Sequence, residues 1–259
     1  MGRWSLKVLS TQGVDSKQWR DYIDTLPAEK RDVYFLPEYA ALYEGISGEP
    51  AFLFHYGDDQ DAVMMVAVMR SVSELPFHEF GPGSAPDGPN YFDIATPYGY
   101  GGPVVHTRNP ADEVELFQGF REAFHDHCLA NNIVTEFLRL HPLMQNHRPF
   151  GQVKELYRKN STVWMDLRQT EDEIFQGMRK DHRRNVGKAT KKGVEVVHVE
   201  INVEHLREFH RLYTTSMERL SVHRIETIHG GHWARFGRSQ IFELIDDFLQ
   251  GTRKLGCPK

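Results

Sequence analysis

The chain has 259 residues, of which 40% are hydrophobic and 26% are charged, and its formal net charge at pH 7 is −5. These values are typical of globular proteins and give no bulk charge that would indicate a nucleic-acid or membrane-surface protein. The longest apolar run, Ala62–Met69, is far shorter than the roughly 20 residues that a transmembrane helix needs. Two cysteines are too few for a disulfide framework, and the N-terminal sequence lacks the apolar core of a signal peptide. We therefore expect a cytoplasmic protein without an integral membrane segment.

Residues 1–155 alternate strand and helix patterns and predict a first domain with a hairpin-rich, mostly antiparallel sheet. Asn109 followed by Pro110 predicts a helix start, because asparagine caps the first turn and proline fits the first helical position. Phenylalanines at helical spacing predict the buried face of that helix. The expected elements are strands at Trp4–Leu9, Ala51–Tyr56, Asp61–Val72, Tyr91–Ala95 and Ile133–Leu140, and helices at Asp15–Leu26, at Pro37–Tyr43 and from Asn109 to Asn131.

Residues 156–259 predict a second domain. Thr170 and Glu173 form a capping box, because the side chain of each can accept a hydrogen bond from the backbone N–H of the other. We expect one long helix from this box to Gly193. The other expected elements are strands at Ser161–Leu167 and Val194–Glu200 and helices at Val203–Arg219 and Ser239–Leu249. The mixed order of strands and helices predicts an α/β or α+β fold.

The strongest functional signal is the segment Arg179–Lys192, which carries seven basic residues and one acidic residue. On a helix, Lys180, Arg184, Lys188 and Lys191 fall along one face. Cations near a helix C-terminus interact favourably with the helix dipole, each by roughly 0.3–1 kcal/mol, and this explains only part of the set. Because arginine suits bidentate phosphate contacts, we predict that the helix also meets a phosphorylated or polyanionic partner.

The segment Arg179–Lys192 also contains a motif that is typical of coenzyme binding. Arg184–Ala189 matches R-x-x-G-x-A, the pyrophosphate loop of acetyl-CoA-dependent acetyltransferases of the GNAT superfamily. Such a loop follows a strand directly and opens a helix, so that its backbone N–H groups point at the phosphates. Here, helical sequence from Thr170 already leads into the motif. We therefore expect no cofactor and keep acetyl-CoA as the alternative.

The segment Met178–Val194 resembles the part of the Fem-type (FemAB-like) peptidoglycan-bridge aminoacyltransferases in which an Arg-x-Asn-Ile core leads into an alanine, a Lys-Lys-Gly and a valine strand. The corresponding residues here are Arg183, Asn185, Val186, Ala189 and Lys191 to Val194. The resemblance extends over about residues 30 to 220. Its matching pieces in the first half are Tyr34–Tyr43, Pro97–Pro103 and Thr135–Pro142.

This resemblance implies a pair of GNAT-like domains, each a mixed sheet flanked by helices, on the two sides of a cleft. Enzymes of this family transfer an amino acid from aminoacyl-tRNA to an amine of a nucleotide-linked or lipid-linked peptidoglycan precursor, without a coenzyme. The resemblance places Arg183 and Asn185 at the cleft, and it makes Arg184 and Lys188 the expected phosphate contacts. No catalytic residue follows from it.

The turn Pro97–Pro103 is a further candidate for substrate binding. Its three glycines allow a ligand to approach the backbone, and Tyr98 and Tyr100 can line a pocket, although packed aromatic rings in an ordinary turn fit the pattern equally well. On the next predicted strand, Arg139 and Glu136 lie on opposite faces, so at most one of them points toward a pocket. We keep Arg139 among the candidates.

The histidine clusters do not predict a metal site. His125 and His127 lie two residues apart on a helix, where their side chains point in different directions. His229 and His232 have an H-x-x-H spacing without the acidic partner of a metalloprotease.

We expect the second domain to be incomplete, because the sequence after Ser221 shows no further alternating strands to finish its sheet. Three functions therefore stay open: a Fem-like aminoacyltransferase, an acyl-CoA-dependent N-acyltransferase, and a binding protein without catalysis. For the first of these, removing the charges of Arg183, Arg184 and Lys188 is expected to weaken the binding of tRNA or of the nucleotide-sugar precursor.

Overall fold

The computed structural model describes residues 4–74, 89–151, 156–158, 161–200 and 202–219. The chain forms two compact units. One unit runs through Leu156 and resumes at Leu212, and the other covers Tyr157–Arg211. The assignment of two GNAT-like domains, at 1–155 and 156–259, stays a prediction.

The first unit is built on a mixed sheet of six strands. The strands are β1 (Leu6–Ser10), β2 (Ala51–Gly57), β3 (Ala62–Ser71), β4 (Phe92–Ala95), β5 (Val104–His106) and β6 (Ile133–Phe137). Their order is β1-β2-β3-β4-β6, and neighbours are antiparallel except for β4 and β6, which are parallel. β5 pairs with the first part of β3, and β4 pairs with its last part. The α/β class expected from the sequence is confirmed.

The apolar sequence of β3 follows from its central place in the sheet. A strand buried on both faces needs apolar residues at every position rather than at every second one. Met64, Val66 and Val68 belong to the core on one face. Val63 and Met65, with their neighbours on β2, belong to the core on the other face. The predicted hairpin joins β2 and β3, with Gly57 opposite Ala62.

Helices cover both faces of this sheet. On one face, α1 (Gly13–Thr25) and α2 (Pro37–Ser47) pack over the core, where the indole N–H of Trp19 donates to the carbonyl of Phe35 at 2.8 Å. On the other face, α3 (Glu113–Ala130) buries the predicted stripe of Phe117, Phe120 and Phe124. Asn109 acts as a cap, as predicted, but the turn that it caps is a short 3-10 turn that precedes α3.

The second unit contains α4 (Glu171–Gly177), α5 (Lys180–Lys191) and the first part of α6 (Val203–Arg219). The predicted capping box is present, with the N–H of Thr170 donating to Glu173 Oε2 at 2.8 Å. The single long helix predicted from this box to Gly193 is wrong, because the helical path breaks between α4 and α5. The bounds of α6 agree with the sequence prediction.

The strands predicted at Ser161–Leu167 and Val194–Glu200 are also wrong. Neither segment pairs with a neighbour in the described structure, and Val163 and Val196 are each 97% exposed. Alternating β-branched residues favour an extended backbone locally, but a β-strand also needs a neighbouring strand with which to form hydrogen bonds. That neighbour depends on contacts that the local sequence does not reveal.

Several features of the sequence fall outside the described residues. They include the predicted helix Ser239–Leu249, the pair His229 and His232, and most of the loop Gly81–Asn90. Within the described ranges, no helix is long and apolar enough to cross a membrane. In the same ranges, no group of three or more His, Cys, Asp or Glu residues is arranged to hold a metal ion.

Candidate functional site

The segment predicted to meet a polyanion forms α5 in the second unit. Lys180, Arg184, Lys188 and Lys191, which we call the basic row, recur every three or four residues and are all exposed. The acidic residue of α5, Asp181, lies outside the row and pairs with Arg179, with 3.4 Å between Oδ1 and Nε. The basic row therefore presents an extended positive edge to solvent.

Asn185 also lies on α5 and is exposed beside Arg184. Its amide can both donate and accept a hydrogen bond. An exposed amide next to a guanidinium group can contact a sugar hydroxyl or a phosphate oxygen. Of the residues that the sequence placed on this segment, Arg184, Asn185 and Lys188 are thus open to solvent.

Arg183 has a different environment. Its Nη1 donates a hydrogen bond to the carbonyl oxygen of Gln176 at 2.9 Å and another to the carbonyl oxygen of Met178. Both carbonyls lie at the end of α4, where a helix lacks its own partners for them. Arg183 is half-buried and joins the beginning of α5 to the end of α4. The resemblance assigned it to a substrate cleft, but in the described structure its guanidinium contacts backbone.

The R-x-x-G-x-A motif at Arg184–Ala189 lies entirely inside α5. From Arg184 onward, the backbone N–H groups of this helix bond to carbonyls four residues earlier, so they do not point at a ligand. The element before α5 is the helix α4 rather than a strand. This geometry lacks the strand–loop–helix context that an acetyl-CoA pyrophosphate site requires.

The turn Pro97–Pro103 packs against tyrosines of the first unit. We call Tyr34, Tyr39, Tyr98 and Tyr100 the tyrosine cluster. The Tyr34 ring lies edge-on to those of Tyr39 and Tyr100, with centroids 5.3 and 5.8 Å apart, and Tyr39 Oη donates to the Tyr98 carbonyl at 2.6 Å. The Tyr98 side chain remains about half exposed. The structure thus brings both predicted tyrosines of the turn onto one aromatic surface.

Gly99 explains how the turn fits this surface. Its φ of +99° lies in the region that side chains disfavour, and a Cβ atom there would overlap the ring of Tyr34. Burial raises the pKa of Tyr34, and it raises the pKa of Tyr39 to about 12. Both hydroxyls therefore stay protonated at neutral pH, and that of Tyr39 donates its hydrogen bond to the Tyr98 carbonyl.

His141 lies beside the tyrosine cluster and is buried. Its Nδ1 accepts hydrogen bonds from the backbone N–H groups of Leu143 and Met144, at 3.2 and 3.3 Å. The ring proton must then be on Nε2, which donates to Asp32 Oδ2 at 3.3 Å. Since both ring nitrogens are engaged, His141 serves as a structural link rather than as a general base.

Arg139 follows β6, whose last residue, Phe137, lies on the sheet face of α1 and α2, since it pairs with a residue of β4 that belongs to the core there. Its guanidinium is 6.0 Å from the centroid of Phe137, a ring that is 60% exposed. On the same face, Arg70 Nε donates to Asp93 Oδ1 at 2.8 Å, and a second hydrogen bond joins their other termini. Burial raises the pKa of Tyr43, and the positive charges of Arg70 and Arg139 oppose that effect. These five residues form what we call the open sheet face.

Most residues of the tyrosine cluster and of the open sheet face were not among the candidates from the sequence. Arg70 and Asp93 carry a signal that was available, because each is a charged residue within an apolar strand and such residues need a partner. Tyr39 and Tyr43 are four residues apart on α2 and so share one face. Tyr34 and His141 carry no such signal, since only the folded chain brings them together.

Comparison with known proteins gives one match. A sequence model of the FemAB family matches residues 152–227, a segment that includes α4, α5 and α6. No curated protein and no solved structure matches the chain. The family match confirms the Fem-type resemblance seen in the sequence and covers its strongest part, the basic segment on α5. This part of the chain is therefore similar to the FemAB family.

Proposed function

We propose that this protein is an aminoacyltransferase that moves an amino acid from aminoacyl-tRNA to an amine of a nucleotide-linked or lipid-linked peptidoglycan precursor in the cytoplasm. The observation that carries the proposal is the FemAB match, because members of that family are transferases and the family suggests peptidoglycan-bridge aminoacyl transfer. The matched segment also contains the basic row, which suits a phosphate-rich donor.

The proposed reaction joins the acceptor amine to the carbonyl carbon of the aminoacyl ester. The neutral amine attacks that carbon, a C–N bond forms, and the ester C–O bond breaks. The ribose hydroxyl of the tRNA leaves and takes up the proton that the amine gives away. The step needs an anion site for tRNA, hydrogen-bond donors near the carbonyl oxygen, and a surface that orients the acceptor.

We assign the donor to the second unit. Arg184 and Lys188 would contact phosphates of the tRNA, and Asn185 would bond to a phosphate or a ribose hydroxyl. Their exposure and their position on one helix support this assignment. Arg183 would contribute indirectly, because it fixes the beginning of α5 against the end of α4.

We assign the acceptor to the first unit. The tyrosine cluster offers rings that can stack on a sugar and hydroxyls that can donate hydrogen bonds. Arg139, with the exposed Phe137 ring beside it, would attract a carboxylate or phosphate of the precursor. The half-exposed Tyr98 belongs to the same assignment.

A transfer assay tests the proposal. The purified full chain would be incubated with a pool of tRNA carrying radiolabelled amino acids, and with a UDP-linked or a lipid-linked peptidoglycan precursor as acceptor. We expect label to move into the precursor only when both substrates are present. Parallel reactions with radiolabelled acetyl-CoA test the alternative donor. Acetylation of the acceptor without aminoacyl transfer would contradict the proposal.

A further inference from the structure

The basic row has the geometry of a linear array. Consecutive members four residues apart are separated by about 6 Å along the helix axis, because each residue rises about 1.5 Å. From Lys180 to Lys191 the row therefore extends over about 16 to 17 Å along α5. A compact ligand with one or two phosphates would reach only part of such a row, whereas a chain of phosphates would reach all of it.

Gly187 lies in the middle of the basic row. It follows Arg184 by three residues and precedes Lys191 by four, so it shares their face of the helix. Inside a helix, glycine is less favourable than alanine by roughly 1 kcal/mol. Among the residues that the structure describes, no heavy atom outside the helix lies within 4 Å of the place where its Cβ would be, so packing against them does not explain the glycine. Within the described part of the chain, the space beside Gly187 is therefore open to a ligand.

The composition of α5 favours a polynucleotide over a lipid surface. Helices that lie on membranes carry large apolar residues such as Trp, Phe or Leu opposite their cations. The apolar residues of α5 are limited to Val186, Gly187 and Ala189. α5 has the charge for an anionic surface but lacks the apolar face that would insert into one.

We propose that the basic row binds consecutive phosphates of one RNA strand along α5, and that Gly187 lets this strand lie against the helix backbone. This inference rests on the proposed function, in which tRNA is the donor, and it assigns the nucleotide-linked precursor to another surface. The contact is independent of sequence, because phosphates carry no base information. Arg183 is a positioning residue here, since its guanidinium is held by the carbonyls of α4.

The salt dependence of RNA binding tests the number of phosphates contacted. An RNA hairpin with the length of a tRNA acceptor arm would be titrated with the full chain, using fluorescence anisotropy at several salt concentrations. Four phosphate contacts predict a slope of log K against log salt of about −2.8 to −3.6. Lys188→Gln should reduce the magnitude of that slope by roughly one. Arg207→Gln, which removes an exposed cation of α6, is the matched control and should leave the slope unchanged.

Substitutions at Gly187 test the close approach. Gly187→Leu should weaken RNA binding at least tenfold while circular dichroism shows equal or greater helix content, because leucine favours helix. Gly187→Ala, which adds only a methyl group, should weaken binding less than Gly187→Leu. A Gly187→Leu variant that binds RNA as tightly as the wild type would overturn the role of Gly187.

Competition experiments identify the class of ligand. Excess UDP-linked precursor should not displace the RNA hairpin, and vesicles of phosphatidylglycerol and phosphatidylcholine should not bind more tightly than the hairpin. Displacement by the precursor, preferred binding of the vesicles, or a slope weaker than about −2 would each overturn the inference. RNA binding with the expected slope but without aminoacyl transfer would reject the proposed function alone. Transfer activity that is insensitive to Lys188→Gln would reject the RNA contact alone.

Discussion

Arg183 donates a hydrogen bond from Nη1 to the carbonyl oxygen of Gln176 at 2.9 Å and so joins α5 to the end of α4. The residue next to it, Arg184, points to solvent instead. Two adjacent arginines of one basic helix therefore have different roles: the half-buried Arg183 joins two helices, and Arg184 faces solvent. Alanine substitutions of the two residues can therefore be compared directly.

Arg183→Ala should destabilise the junction of α4 and α5 by about 1 kcal/mol, because it removes hydrogen bonds to two helix-terminal carbonyls. Amide hydrogen exchange of α4 and α5 measures this local free energy. Arg184→Ala removes the same charge and the same side chain from the next position and should leave exchange in α4 unchanged. Equal rates of amide hydrogen exchange in α4 and α5 of the two variants would show that the hydrogen bonds of Arg183 do not stabilise the junction of these helices.

The buried His55 should make the stability of the first unit depend on pH, with a loss at acidic pH. Its side chain is fully buried and stacks on Tyr22 with centroids 3.7 Å apart, while Lys7 lies opposite on β1 and Asp58 lies near the end of β2. Burial, followed by the charge of Lys7, lowers the pKa of His55 to about 4. The unfolded chain, with a histidine pKa near 6.5, then binds the proton more tightly than the folded chain does.

The stability that this difference gives is fully present above about pH 6.5 and is lost as the pH falls toward 4. We expect a loss of roughly 2–3 kcal/mol in the free energy of unfolding between pH 7 and pH 4.5. Urea titrations at both pH values measure it. His55→Phe keeps a ring against Tyr22 and should reduce the loss, whereas substitution of the exposed His125 by Gln should not. An unchanged pH dependence in His55→Phe would refute this account of His55.

The contact of Gly99 with Tyr34 predicts opposite effects for two glycine-to-alanine substitutions. Gly99→Ala should lower the free energy of unfolding by at least about 1 kcal/mol, because of its positive φ and the overlap with Tyr34. Gly45→Ala, inside α2 with open space around it, should raise the same free energy by up to about 1 kcal/mol. Thermal or urea unfolding measures both variants. A neutral Gly99→Ala variant would show that the turn does not depend on this contact.

The ion pair of Arg70 with Asp93 on the open sheet face should contribute more to the free energy of unfolding than an exposed ion pair does. Asp93→Asn should cost about 2–3 kcal/mol in unfolding free energy, because it leaves a largely buried guanidinium without its carboxylate. Glu38→Gln breaks the exposed pair with Arg20 and should cost less than about 1 kcal/mol. Urea unfolding of the two variants compares these costs. Similar losses of unfolding free energy in Asp93→Asn and Glu38→Gln would show that the buried ion pair contributes no more than the exposed one.

Much of the first unit could be predicted because its signals are local. The apolar run of β3 and the phenylalanine stripe of α3 each indicate a buried element without knowledge of its neighbours. The break between α4 and α5 was not predicted, and the hydrogen bonds of Arg183 to the carbonyls at that break form only in the folded chain. The pairing of Arg70 with Asp93 depends in the same way on the register of β3 and β4.

The candidate site also contains residues with a local sequence signal and residues that come together only in the folded chain. The exposed cations of α5 were evident in the sequence, because charge and helical spacing determine them. The open sheet face was not evident, since its residues come from α2, β3, β4, β6 and the segment after β6 and meet only in the folded chain. Gly187 was visible as part of a motif, but its open surroundings appear only in the structure.

The most direct test of the account is the dependence of amino-acid transfer on the concentration of each substrate, in the wild type and in Lys188→Gln. The account predicts that the wild type transfers label from aminoacyl-tRNA to the peptidoglycan precursor. It also predicts that Lys188→Gln raises KM for aminoacyl-tRNA several-fold, while KM for the precursor and kcat stay the same. No transfer by the wild type, or a raised KM for the precursor instead of the tRNA, would contradict it.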